Sequence, residues 1–162
     1  MHESQFVMHP THFEAIQVVI EALVDDCEAR GIFVVDRVGQ LINQAGSMRD
    51  LDTTSLASLA ASCVAASGGL AGLLGEEEFP THFHEGERDS LHMTLVGGRG
   101  ILIVVFDRST SLGLVRLRAR GASAELAKIF EEARKKCESE GPGDGKAFID
   151  ITDEEIDNLF PD

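Results

Sequence analysis

Apolar positions along the 162-residue chain fall into blocks of two different periods. Phe13, Ile16, Ile20, Leu23 and Val24 recur at three- and four-residue spacings, which is one face of a helix, and Thr11 with Glu14 fits a capping box ahead of them. After Gly31 the run Ile32-Phe33-Val34-Val35 is branched and aromatic and reads as a buried strand. Asp36-Arg37-Val38-Gly39 is a turn, and residues 40–45 return as a second strand to make a hairpin. A long helix follows over 53–75, capped by Asp52 or Thr53 and stopped by Gly75 and Pro80, with Leu56, Leu59, Cys63, Leu70, Leu73 and Leu74 as its large apolar positions.

From residue 81 the period changes to two. Leu91, Met93 and Leu95 alternate with His92, Thr94 and Val96, and Gly97-Gly98-Arg99-Gly100 turns the chain into a continuous apolar strand over 101–106. A strand apolar on both sides is expected to be covered on both faces. Residues 111–136 start ambiguously, since Leu112, Leu114, Val115 and Leu117 suit strand or helix. Leu126, Ile129, Phe130 and Ala133 are helical, and the segment is read as one long helix that tolerates Gly113 and Gly121 at about 1 kcal/mol each. The expected order is helix, strand, strand, helix, strand, strand, strand, helix. Its hairpins predict a five-stranded antiparallel sheet with the middle helix as crossover and helices on both faces, a three-layer α/β/α domain.

Charge divides the chain in two. The whole carries −14, yet residues 138–162 hold nine acids and one base, Lys146. The break lies at Gly141-Pro142-Gly143-Asp144-Gly145, a helix-breaking run. The expected organisation is a globular domain over 1–137, then an acidic linker and C-terminal docking helix over 138–162. The acidic balance argues against nucleic acid, which needs clustered Lys and Arg, and against an anionic membrane surface. Residues 53–75 are uncharged and long enough to span a bilayer, but their Ser, Thr, Gly and Ala content favours a buried, tightly packed helix of a soluble protein. Three scattered cysteines without a CxxC indicate neither a disulfide framework nor a structural zinc site, and fit a reducing cytoplasm. No basic patch followed by an apolar run marks the first ten residues, so no signal peptide is expected.

Four features bear on chemistry. His82 and His84 share a strand face near Glu85, Glu87 and His92, as metal ligands can be spaced, but solvent-facing imidazoles on a sheet edge are the preferred reading and no metal is assigned. No GxSxG and no nucleophile with a helpful neighbouring His is present. The Gly141–Lys146 region lacks the first glycine, the Ser or Thr and the leading strand of a phosphate loop, and Gly97 to Gly100 leads into a strand rather than a helix. No cofactor is therefore expected. Ala61, Ala65 and Gly69 recur every four residues on the middle helix and form a flat stripe that another backbone can approach closely. Packing within the chain is the alternative, but Leu56, Leu59, Cys63, Leu70 and Leu74 are expected to serve that purpose.

The C-terminal segment carries Thr152 and Glu155 as a capping box, Ile151 with Ile156 as a hydrophobic staple, and Ile156, Leu159 and Phe160 as an apolar stripe among acids. A solvated tail needs none of these, so a motif that folds on a surface is expected.

Several of these motifs resemble the bacterial MglB family, within the roadblock/LC7 superfamily. They are Leu51-Asp52-Thr53-Thr54-Ser55-Leu56-Ala57-Ser58-Leu59-Ala60, Gly68-Gly69-Leu70-Ala71, Gly75-Glu76, Glu78-Phe79-Pro80, Phe83-His84-Glu85-Gly86, Phe106-Asp107 and the run from Thr110 to Leu117. Ile156-Asp157-Asn158-Leu159-Phe160 resembles the myxobacterial branch. The resemblance implies a roadblock/LC7 domain and a cytoplasmic homodimer, located in part at a cell pole. It implies binding to a small Ras-like GTPase of the MglA type and stimulation of GTP hydrolysis, in the service of cell polarity and gliding motility. Such a regulator is not itself the enzyme. It inserts no arginine finger but sets the partner's own switch residues in place, and its C-terminal helix modulates nucleotide exchange. The expected partner-binding residues are Ala61, Ala65, Gly69, Ile151, Ile156, Leu159 and Phe160. A scaffold that binds a GTPase without accelerating it, and a small metal hydrolase using His82, His84 and His92, are the alternatives.

Overall fold

The structure, a computed structural model, describes residues 8–140. Helix α1 (Pro10–Cys27) leads into the hairpin β1 (Gly31–Asp36) and β2 (Leu41–Gly46). Helix α2 (Thr53–Leu73) crosses to β3 (Thr81–His84), β4 (Ser90–Val96) and β5 (Gly100–Phe106), and α3 (Leu112–Ser139) closes the fold. The five strands form one antiparallel sheet in the order β2-β1-β5-β4-β3, with β1 and β5 paired at its centre from Gly31 opposite Val105 to Asp36 opposite Gly100. The expected order and sheet are both present.

Alternation along the central strands makes two cores. Ile32, Val34, Leu102, Val104 and Phe106 face α1 and α3, packing with Ile16, Ile20, Leu23, Val115, Leu126 and Phe130. Phe33, Val35, Met93, Ile101, Ile103 and Val105 face α2. Every residue of β5 is buried, as a strand apolar on both sides requires.

Helix boundaries differ from the sequence reading at α1 and α3, and at α2 one of the two expected caps is selected. Helix α1 starts one residue before the expected cap at Thr11. Pro10 suits a first turn that needs no N–H, and the His9 N–H donates to His12 Nδ1 at 3.2 Å in place of the Thr11–Glu14 box. Helix α3 is one continuous helix as expected, capped by Ser111 Oγ accepting from the Leu114 N–H at 3.2 Å, and it runs to Ser139 rather than 136. Asp52 caps α2: Oδ1 accepts from the Ser55 N–H at 3.1 Å and Oδ2 from the Ser55 hydroxyl at 2.6 Å.

The largest correction concerns which side of α2 meets the sheet. Of the residues expected to pack there, Leu56 and Cys63 do so while partly exposed, but Leu59, Leu70 and, just past the helix, Leu74 are 58–73% exposed, and Leu73 is 83% exposed. Ala57, Ala60, Ala61, Val64 and Ala71 are buried instead. Their spacing is itself helical, and their small side chains let the α2 backbone settle close to a sheet already filled by Phe33, Ile101 and Ile103. The helix is thus buried along one narrow side, although by length and composition it could cross a bilayer.

A close seat leaves no room for added volume, whereas the α1–α3 core fails by cavity formation. We expect Ala57→Leu to cost about 1–3 kcal/mol by overpacking and Leu126→Ala about 2–5 kcal/mol by leaving a void. Urea unfolding of each variant checks both, and an unchanged midpoint for Ala57→Leu would show that α2 does not sit tightly.

Candidate docking face on α2 and β3

The α2 seat is fixed at both ends of the helix. The β1–β2 turn lies under its first half, where Gly39 adopts φ +91° and a Cβ there would come within 3.1 Å of Ser58 Cα. From the same turn Arg37 pairs with Glu78, tying down the loop between α2 and β3. On the other flank Ser67 Oγ lies 3.2 Å from His82 Nδ1, and Cys63 Sγ lies 3.8 Å from His84 Nε2. These contacts place α2 beside β3, a four-residue strand that among the described residues pairs only with β4. The free edge of β3 presents backbone donors and acceptors suited to a further strand.

Between the two flanks the outer side of α2 is apolar and carries no charge. Leu59, Leu70 and Leu73 stand on it with Ser62 and Ala66, and Ala65 and Gly69 lie exposed at its margin. A Cβ added at Gly69 would meet nothing within 4 Å. The stripe Ala61, Ala65, Gly69 is therefore split. Four residues advance a helix by about 40° beyond one full turn, so the stripe begins against the sheet at Ala61, which is 8% exposed, and turns out to solvent by Ala65. Ala61 is accounted for by the core, while Ala65 and Gly69 are available. The exposed leucines are what the sequence reading missed. The signal was present, since Ala57, Ala60, Ala61, Val64 and Ala71 recur at helical spacing and leave Leu59, Leu70 and Leu73 on the far side. Ile151, Ile156, Leu159 and Phe160 lie outside the described residues.

The histidines do not form a metal centre. Strand register puts His82 opposite Met93, on the α2 face, and His92 opposite Val104, on the α1–α3 face. Three ligands divided between two faces of one sheet cannot meet at one ion, and no group of three His, Cys, Asp or Glu suited to a metal occurs among the described residues. The metal-hydrolase alternative falls on this geometry. Cys27 is likewise no nucleophile: it is buried, its thiol donates to the Leu23 carbonyl at 3.0 Å, and burial raises its pKa. At the far corner Arg30 makes a bidentate pair with Asp89, 2.7 Å to each oxygen, beside Asp107, whose carboxyl is held below its usual range by the hydroxyl and N–H of Ser109. The adjoining recess sets Arg88 and Arg108 against Glu87 and Asp107, so it offers an anion no net charge.

A five-stranded antiparallel sheet with α2 on one face and α1 with α3 on the other defines a class of small regulatory domains. Residues 15–106 match the Roadblock/LC7 domain, and the chain belongs to that family. Within it the chain is similar to MglB. It is 57% identical to Myxococcus xanthus MglB, with a TM-score of 0.75 over 78% of this chain and 96% of that one. It is 34% identical to an MglB solved in a tetrameric arrangement, with a TM-score of 0.76 over 81% and 98% of the two chains. The gliding protein MglB from Thermus thermophilus is 33% identical, with a TM-score of 0.75 over 80% and 98%. Comparison with curated proteins finds no significant match.

His92 is 2% exposed, and burial followed by the nearby Arg116 charge lowers its pKa, so the folded protein favours the neutral ring. The unfolded chain takes up the proton at about pH 6.5. Stability linked to His92 is thus present above about pH 6.5 and is lost as pH falls below it, because the unfolded state binds the proton first. We expect His92→Gln to flatten the acid limb of stability, read from thermal melts at about pH 7 and pH 5. Equal slopes in both proteins would remove His92 from that limb.

Proposed function

We propose that this chain is a regulator of a small Ras-like GTPase of the MglA type, stimulating GTP hydrolysis as a homodimer assembled through α2 and the free β3 edge. One observation carries the reading: an MglB-like chain seats α2 on alanines and turns an uncharged leucine face outward beside the edge strand β3. Exposed apolar surface of this kind marks interaction sites. The face also bears on how stimulation would work. Residues 53–75 contain no Arg or Lys, so α2 brings no cation to the transferring phosphoryl group. Its contribution would be to hold the partner's switch segments, leaving the charge stabilisation to residues of the GTPase itself. The protein is on this reading a regulator and not the catalyst, acting in the cytoplasm and at a cell pole, with a role in polarity and gliding motility. The apolar stripe of Ile156, Leu159 and Phe160 would add a second contact that affects nucleotide exchange.

Mixing the full chain with its cognate MglA-type GTPase and following single-turnover GTP hydrolysis tests this. We expect acceleration by the wild type and loss of binding in Ala65→Arg and Gly69→Arg. Both positions are exposed, so each variant should remain folded by circular dichroism, and light scattering should give a dimer for the wild type. Binding without acceleration would instead favour a scaffold, and normal binding by both variants would move the docking surface off α2.

Removal of residues 148–162 should leave the folded domain intact while lowering exchange or GTPase affinity. The Leu159→Asp, Phe160→Asp double variant should do the same, since each buried apolar side chain is worth about 1.5–3 kcal/mol. Superimposable exchange and binding curves for full-length and truncated protein would exclude the segment from the GTPase contact.

A further inference from the structure

The outward side of α3 has no role in the fold. Leu117 stands on it 65% exposed, one turn from Gly113 and one from Gly121. A Cβ at either glycine would meet nothing within 4 Å, so neither is required by packing, although glycine weakens a helix relative to alanine. Arg116 and Arg120 flank Leu117, with Arg118 on the α1 side, and all three are exposed. None forms an ion pair with a carboxylate among the described residues. In a chain of net charge −14, Arg116 and Arg120 set positive charge beside an apolar residue with open ledges on either side, while Arg118 lies nearer α1 and its Asp26.

We propose that this α3 face is the resting site of the chain's own C-terminal segment, residues 150–160. The segment is complementary in both respects. Residues 148–162 hold six acids and no base, and among them Ile156, Leu159 and Phe160 supply the apolar stripe. Charge favours α3 over the exposed apolar positions of the other two helices. Val18 of α1, 69% exposed, is flanked by the exposed acids Glu14 and Glu21, which repel the segment, and the leucine face of α2 has no charge to attract it. Reach is sufficient. Ile156 follows Glu140 by 16 residues, which span up to about 55 Å when extended, while Leu117 lies about 33 Å back along α3 from Ser139. Tethering raises the local concentration to the millimolar range, so a contact too weak to form between separate molecules forms within one. A segment held on α3 is withheld from any other surface, and the ion pairs make the hold sensitive to salt. The proposal stands apart from the GTPase reading because it concerns this chain alone.

Hydrogen exchange on the full-length protein without any partner tests it. We expect the amides of residues 152–160 to exchange about tenfold or more slowly than in an unstructured chain, with the protection lost on raising salt to about 1 M. Arg116→Glu with Arg120→Glu should abolish that protection while leaving α3's own intact, and adding Asp153→Lys, Glu154→Lys and Glu155→Lys should restore it. Unprotected amides in the wild type, or protection unaffected by the arginine reversals, would overturn the proposal. Protection that rises with protein concentration would assign the site to another copy's α3 and overturn it equally.

Discussion

The seating of α2 on the sheet through alanine is the constraint on which the rest of the molecule depends. Strands β1 and β5 present Phe33, Ile101 and Ile103 to that face, so the space above them is already filled from the sheet side. A helix can close over such a surface only with small side chains, and Ala57, Ala60, Ala61 and Ala71 supply them. The consequence is geometric. Once alanine faces inward, Leu59, Leu70 and Leu73 face outward, and a folding requirement on one side of the helix becomes an interaction surface on the other. The Gly39 turn then seats one end of that surface, and Ser67 with Cys63 hold it beside β3 through His82 and His84.

The opposite face of the sheet is built on a different plan. There α1 and α3 pack large residues into the sheet, with Ile16, Ile20, Leu126 and Phe130 fully or nearly fully buried, and the outer sides of the two helices are charged around a few exposed apolar residues such as Val18 and Leu117. Their charges separate: α1 shows Glu14, Glu21 and Asp25, while the first half of α3 shows Arg116, Arg118 and Arg120. The protein therefore has an uncharged face, an acidic ridge and a basic ridge. Whatever approaches is sorted first by charge and then by apolar contact.

The sheet also decides which side chains can act together. His82, His84 and His92 are neighbours in sequence and in a hairpin, yet the pleat sends His92 to the α1–α3 core and His82 to α2. Strand pairing thus turns an apparent ligand cluster into one buried neutral imidazole and two separate contacts with α2, through Ser67 and Cys63.

Element order, the antiparallel sheet and its coverage on both faces could be read from the sequence alone. Periods of two and of three to four, interrupted by Gly31, Gly39, Gly75, Pro80 and Gly97, leave few ways to arrange the strands. The family was legible as well, because motifs such as Leu51 to Ala60 resemble those of its members. The α1 start was not: His9 and His12 supplied a cap that no simple cap rule anticipates. Nor was the candidate site fully legible, since periodicity marks two faces of α2, one of alanine and one of leucine, and hydrophobicity alone assigns the leucines to the core. Only the tertiary structure decided the question, because it depends on how much volume the strands had already placed on that side of the sheet.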